Sequence, residues 1–250
     1  MTAPLPLLQT MRTTLTGVII LFLFSSSFGQ DKKSKLDISH LSGDLYIYTT
    51  YQSWKGTAVS ANGMYLVTDK GVALFDTPWD STQYQPLLDS IKVRHRKNVV
   101  MAIATHSHED RTGGIDFLKE KGIKTYTTIL TDQISKEKGE PRAEFLIKRD
   151  TTFILSGTTF ETFYGGAGHT KDNIVIWLGK EKVLYGGCLI KSTEAKNLGN
   201  LADADIRQWP VTIKTLQYRY GTAKFVIPGH EGWADRRSLE HTLRLLELRQ

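Results

Sequence analysis

The stretch Val99-Val100-Met101-Ala102-Ile103-Ala104-Thr105-His106-Ser107-His108-Glu109-Asp110 changes character at its middle. Its first half is wholly apolar, too short for a buried helix and suited to a strand covered on both faces. Its second half is polar and places His106, His108 and Asp110 within five residues of one another. A strand covered on both faces belongs to a layered α/β protein, and loops at strand ends are where such scaffolds present functional groups. Upstream, Leu45–Tyr51, Met64–Thr68 and Val72–Asp76 are rich in β-branched and aromatic residues. The turn signals Ala61-Asn62-Gly63 and Asp69-Lys70-Gly71 separate them, so the pattern predicts an antiparallel meander. Residues 31–40 are polar and are expected to be loose.

Around the decisive stretch, Ser81–Val93 has helical spacing, with Leu87, Leu88 and Ile91 on one side. Gly113-Gly114 opens a second helix, Ile115–Lys121; a strand at Lys124–Thr127 and a helix from Thr131 follow. In the second half Thr158–Tyr164, Asn173–Leu178, Val183–Tyr185 and Phe225–Ile227 read as strands, and Ile206–Tyr220 and Arg236–Leu248 as helices. The repeated order predicts two sheets packed together with helices outside, in one domain over 31–250 without an internal linker.

Residues 1–30 stand apart. Arg12 precedes the apolar run Leu15–Phe24, and Ser25-Ser26-Ser27 and Phe28-Gly29-Gln30 follow. This is the pattern of a secretory signal peptide, which implies export. The run falls short of the ~20 residues of a membrane span, so no stable membrane association is expected after cleavage, an uncleaved anchor being the alternative. The net charge of +6 is spread over scattered lysines. No basic stripe with interleaved aromatics appears, which argues against nucleic acid as a partner. Cys188 is the one cysteine, so no internal disulfide is possible, and a lone thiol in an exported chain needs another reason. It is either a small buried apolar group or a metal-bound thiolate.

Four of the seven histidines share a setting of strand end or glycine-rich loop. His106 and His108 follow Ile103-Ala104, His169 sits in Gly168-His169-Thr170, and His230 ends Pro228-Gly229-His230. His40, His95 and His241 lie in polar or helical contexts and read as surface residues. Zinc accepts imidazole nitrogen, thiolate and carboxylate, and a zinc ion lowers the pKa of bound water to ~7, giving hydroxide as nucleophile.

These residues resemble those of the metallo-β-lactamases (class B β-lactamases). The likeness runs through Phe75-Asp76-Thr77-Pro78-Trp79, the His106–Asp110 cluster, Gly168-His169-Thr170 and Asp172-Asn173. It continues through Gly186-Gly187-Cys188-Leu189-Ile190-Lys191, Leu198-Gly199-Asn200-Leu201-Ala202-Asp203-Ala204, Trp209-Pro210 and Pro228-Gly229-His230. It implies an αββα sandwich and two zinc ions per chain, one on His106, His108 and His169 and one on Asp110, Cys188 and His230. It implies that Lys191 grips the carboxylate of a β-lactam and that Asn200 helps hold the lactam carbonyl oxygen, although Asn200 after Gly199 also suits a turn. Trp54, in Gln52-Ser53-Trp54-Lys55-Gly56, corresponds to a flap over the substrate, and Asp110 is placed to orient the nucleophile. Asp76, at a strand end, reads as an acceptor that supports the metal loop, and Arg111 as a charge near Cys188 or as a surface residue.

The resemblance therefore implies zinc-dependent hydrolysis of the amide bond of penicillins, cephalosporins and carbapenems; the signal-like leader implies a periplasmic location, and a monomer is expected. Lys171 and Glu231-Gly232 depart from the family pattern, and Glu231 brings a negative charge close to the expected second zinc. The alternatives are a thioesterase, lactonase or phosphodiesterase of the same fold, and an exported zinc-binding protein without catalysis. The first group usually carries histidine after the metal aspartate and an aspartate bridging the metals, where this chain has Arg111 and Cys188. A purely structural zinc would take four protein ligands, whereas each set here supplies three.

Overall fold

The computed structural model describes Met1 and residues 35–54 and 56–249. The leader expected at 1–30 lies outside them but for its first residue. No helix of the described residues is long and apolar enough to cross a membrane.

Twelve strands in two sheets make the centre among the described residues. The first sheet runs β1 (Leu36–Ser42), β2 (Leu45–Trp54), β3 (Thr57–Thr68), β4 (Gly71–Phe75), β5 (Val99–Ile103), β6 (Lys124–Thr128) and β7 (Phe145–Ile147), side by side in chain order. The meander is antiparallel from β1 to β4; β4, β5, β6 and β7 are then parallel. Parallel pairs need crossovers, and helices α1 (Tyr84–His95), α3 (Ile115–Glu120) and α4 (Ile129–Lys138) supply them. The second sheet holds β8 (Thr151–Leu155), β9 (Thr158–Phe163), β10 (Val175–Leu178), β11 (Val183–Gly187) and β12 (Phe225–Pro228), in the order β12-β11-β10-β9-β8. Here α5 (Trp209–Tyr220) is the crossover between parallel β11 and β12, and α6 (Ser238–Glu247) follows.

Strand period explains the layers. In β4, Ala73 and Phe75 point into the space between the sheets, while Val72 and Leu74 point toward α1. In β11, Val183 and Tyr185 face the first sheet and Leu184 faces α5 and α6. Ile47, Met64, Ile103, Phe160, Ile176 and Ile227 complete the inter-sheet core. One outer layer packs Leu87, Ile91 and Leu118 on the first sheet; the other packs Trp209, Ile213, Leu216 and Leu239 on the second. This is an αββα sandwich, and the residues from 35 onward form one compact unit.

Some elements differ from the sequence reading. Ala61-Asn62-Gly63, expected to be a turn, lies inside β3, paired with Tyr48, Thr49 and Thr50 of β2, and the β2–β3 turn falls between Trp54 and Thr57. Residues expected to be loose up to His40 include β1, an edge strand whose Leu36 and Ile38 alternate with exposed Asp37 and Ser39. The short strands β7 and β8 and the single turn α2 (Glu109–Thr112) were not predicted. Helix α4 begins at Ile129, because the Thr128 hydroxyl caps it by accepting from the Thr131 amide at 3.0 Å. Helix α5 begins at Trp209 rather than Ile206, with Pro210 in its first turn. The three histidines read as surface residues are tied down to different degrees. His95 lies 3.0 Å from the Tyr65 hydroxyl, His241 lies 2.8 Å from the Ala195 carbonyl, and His40 is exposed.

Candidate metal centre

The ends of strands from both sheets meet at one edge of the sandwich. Asp76 follows β4, residues 105–110 follow β5, Cys188 follows β11 and His230 follows β12. Backbone bonds fasten these loops across the sheets: Ile174 N donates to Thr105 O (2.9 Å), Gly229 N to Gly187 O (2.7 Å) and Asn62 N to Gly229 O (2.8 Å). Gly229 must be glycine, since a Cβ there would lie 2.6 Å from the Cys188 amide nitrogen.

Six side chains converge. Asp110 Oδ2 lies 3.3 Å from Cys188 Sγ and 3.1 Å from His230 Nε2, and Sγ lies 3.2 Å from that nitrogen. The rings of His106, His108 and His169 stand 4.9–5.2 Å apart and nearly edge-to-face. His106 links the two groups: its ligand atom lies within 4.8 Å of those of His108 and Asp110, and of those of His169 and Cys188. His108 donates from Nε2 to Asp203 Oδ2 at 2.8 Å, so its Nδ1 lone pair points inward, 3.2 Å from His169 Nε2. His230 donates from Nδ1 to Ser60 O at 2.5 Å and so turns Nε2 inward.

These residues fit zinc. His106 Nε2 is buried without a hydrogen-bond partner among the described residues, which is costly for a polar atom unless something else satisfies it. Burial, reinforced by the neighbouring imidazole of His108, holds His106 well below the usual histidine pKa. Burial and then the Lys191 ammonium do the same to His169, so both rings keep free lone pairs at neutral pH. Burial would raise Asp110, but the Arg111 guanidinium and the His230 hydrogen bond outweigh it and hold the carboxyl well below its ordinary range. Burial lowers His230, yet the Cys188 and Asp110 groups beside it push it up to about 9, so a metal ion bound there would displace a proton from this ring. Imidazole, thiolate and carboxylate in three-ligand sets are zinc chemistry.

Arg111 is fully buried, not a surface residue. Its Nη2 reaches Cys188 Sγ and Asp110 Oδ2, each at 3.0 Å, and Gly229 O at 2.8 Å; its Nη1 donates to Asn62 O at 2.7 Å. Asp76 accepts from the Thr105 amide (2.7 Å), the Thr105 hydroxyl (3.0 Å) and the Tyr185 hydroxyl (2.6 Å). Burial raises its carboxyl to about 6 against the pull of Arg111. Asp76 thus clamps the start of the His106 loop.

A cavity of about 850 Å³ opens beside the cluster and holds all three residues expected to meet substrate. Lys191 is only 8% exposed, with its ammonium 5.4 Å from the Trp209 ring centre and no hydrogen bond among the described residues. Asn200 lines the cavity and is also the turn residue its position suggested, because Oδ1 accepts from the Ala202 amide at 3.2 Å. Trp54, at the tip of the β2–β3 hairpin, is 51% exposed and lies 5.9 Å from Trp79, which itself stands 6.2 Å from the His230 ring.

Sequence reading gave no role to Asp203, although it lies in the family-like stretch Leu198–Ala204, or to Lys138. The Lys138 ammonium, at the end of α4, donates to the same Asp203 Oδ2 that receives His108, at 2.8 Å. Groups that orient a metal-bound histidine tune its affinity. Lys138→Met is expected to weaken zinc at the three-histidine set by up to ~10-fold, the low end for an outer partner because Lys138 acts through Asp203. Chelator competition on the purified variant checks this, and unchanged zinc affinity would refute it.

Comparison with known proteins agrees with this geometry. The profile of the metallo-beta-lactamase superfamily matches residues 56–230. A metallo-beta-lactamase type 2 of Elizabethkingia meningoseptica is 41% identical over 221 residues, 88% of each chain. Metallo-beta-lactamase IND-1 of Chryseobacterium indologenes is 42% identical over 236 residues, 94% of this chain and 99% of that one. The crystal structure of metallo-beta-lactamase IND-7 superposes with a TM-score of 0.83 at 45% identity, over 85% of this chain and 98% of that one. Fold, ligand cluster and near full-length similarity lead to one assignment: this chain belongs to the metallo-beta-lactamase superfamily.

Proposed function

We propose that this protein is a periplasmic dizinc hydrolase that opens the amide bond of β-lactam antibiotics and so protects its host. The observation that carries the reading is the junction of two three-donor sets, within reach of one another through His106, on the wall of a cavity that also holds Lys191. His106, His108 and His169 would hold one zinc and Asp110, Cys188 and His230 the other. When bound, zinc supplies Lewis acidity and makes water acidic enough to ionise near neutral pH. Export rests on the signal-like residues 1–30.

The chain's own residues do the rest. The Lys191 ammonium is desolvated and without a hydrogen-bonding partner among the described residues, which suits it to pair with the ring carboxylate of a β-lactam. Asn200 commits Oδ1 to its turn, which leaves the Nδ2 hydrogens to donate to the lactam carbonyl as charge develops on its oxygen. Asp110, kept ionised by Arg111, can accept a hydrogen bond at a carboxylate oxygen from the attacking water and fix its orientation. Trp54 and Trp79 offer an apolar wall to the substrate's side chain.

Purified protein stripped with EDTA is expected to lose hydrolysis of nitrocefin and imipenem. Activity should return with zinc and saturate at two equivalents per chain. Absence of turnover on both compounds after zinc is restored would defeat the reading.

A further inference from the structure

Three observations outside the metal cluster bear on what the cavity selects. The first is Glu231, which follows a metal-site histidine and holds φ at +62°, in the left-handed region that disfavours a side chain. Its backbone is pinned there, since its amide donates to Ser60 Oγ and its carbonyl accepts from Asn62 Nδ2, each at 2.8 Å. Glycine would sit there without penalty, yet the chain keeps a carboxylate on the cavity wall. The second is Glu194, whose Oε2 accepts from the Gly232 amide at 3.1 Å. Ser192 locks that contact by donating to Gly232 O at 2.6 Å and accepting from the Glu194 amide at 3.2 Å. A Cβ on Gly232 would lie 2.2 Å from Glu194 Oε1, so the glycine makes room for this carboxylate. The third is Lys191 in the same cavity, a nearly buried ammonium without a hydrogen bond among the described residues.

Together they give the cavity a deep cation and an acidic rim. Neither Glu194 nor Glu231 has an ion pair among the described residues. The other charges on the rim are Lys196 and Glu109, the latter accepting from Trp79 Nε1 at 3.4 Å. Glu231 is also among the charges that act on Lys191. A ligand matching this pattern presents a carboxylate inward and a cation outward.

We infer that Glu231 and Glu194 make this pocket selective for β-lactams that carry a cationic group on the substituent beside the ring carboxylate. The inference rests on the β-lactam reading above. Both carboxylates are exposed, so each acts through solvent, and a solvent-exposed charge pair changes an affinity by up to ~5-fold.

The test uses two cephalosporins with the same acyl side chain, cephaloridine with a pyridinium arm and cephalothin with a neutral acetoxy arm. In the zinc-loaded double variant Glu194→Gln/Glu231→Gln, the cephaloridine-to-cephalothin ratio of kcat/KM is expected to fall ~10-fold through KM, with each kcat within about twofold of wild type. Salt should shrink the wild-type ratio, because exposed charges are screened. Glu231→Gly, which removes the charge and relaxes the backbone, should shift the ratio as Glu231→Gln does. An unchanged ratio in the double variant, with both compounds hydrolysed, would overturn the inference and leave the lactamase reading standing. Failure of the zinc-loaded wild type to hydrolyse either compound would sink both.

Discussion

Arg111→Ala is expected to destabilise the protein by ~3–5 kcal/mol, the cost of stranding a buried charge partner. Asp76 and Asp110 are both buried and both lean on this guanidinium, as does the Cys188 sulfur at 3.0 Å. The guanidinium also ties the Gly229 and Asn62 carbonyls; these keep the Asn62 amide and the Tyr185 hydroxyl as donors, so the larger cost of its loss falls on the buried carboxylates and the sulfur. Arg111→Lys should recover only part of the loss, because one ammonium cannot reproduce a planar fork that serves both sheets. Denaturant unfolding of the zinc-free proteins measures the effect, and an Arg111→Ala midpoint equal to wild type would contradict the role given to this residue.

Cys188→Ser should separate the two metal sets. A serine hydroxyl is a poor zinc ligand at neutral pH, whereas the other set keeps all three imidazoles. The variant is expected to retain one tightly bound zinc and to lose the second. kcat should fall at least ~100-fold, because several kcal/mol of charge stabilisation go with a lost metal ion. Metal analysis after dialysis, paired with nitrocefin kinetics, gives both readouts. Wild-type turnover with a single zinc bound would contradict the assignment of Asp110, Cys188 and His230 to the working site.

What the sequence made legible were residues whose role is announced by their immediate neighbours. His106, His108, His169, Cys188 and His230 each follow an apolar strand or flank glycine, because a ligand at a strand end needs a rigid support and a tight turn. The central strands were equally plain, since burial on both faces leaves runs such as Val72–Phe75 without a polar residue. The supporting contacts were not legible. Asp203 meets His108 across 95 positions, and Asn62 meets the Pro228 carbonyl across 166. Asn62 reads as a turn residue and Asp203 sits in a family-like stretch, yet nothing local to them, to Lys138 or to Ser60 marks these contacts, for their partners are set by how two sheets pack. Strand β1 escaped notice for a related reason: an edge strand covered on one face carries few apolar residues.

Each metal set draws donors from both halves of the sandwich: His106, His108 and Asp110 extend from β5, while His169, Cys188 and His230 belong to the loops of the other sheet. An ion bound there is a rivet between layers, and its binding energy adds to the work of prising them apart. The protein's survival against proteases should therefore track the free zinc of its surroundings. Surroundings that withhold this metal would shorten the lifetime of the chain as well as idle it.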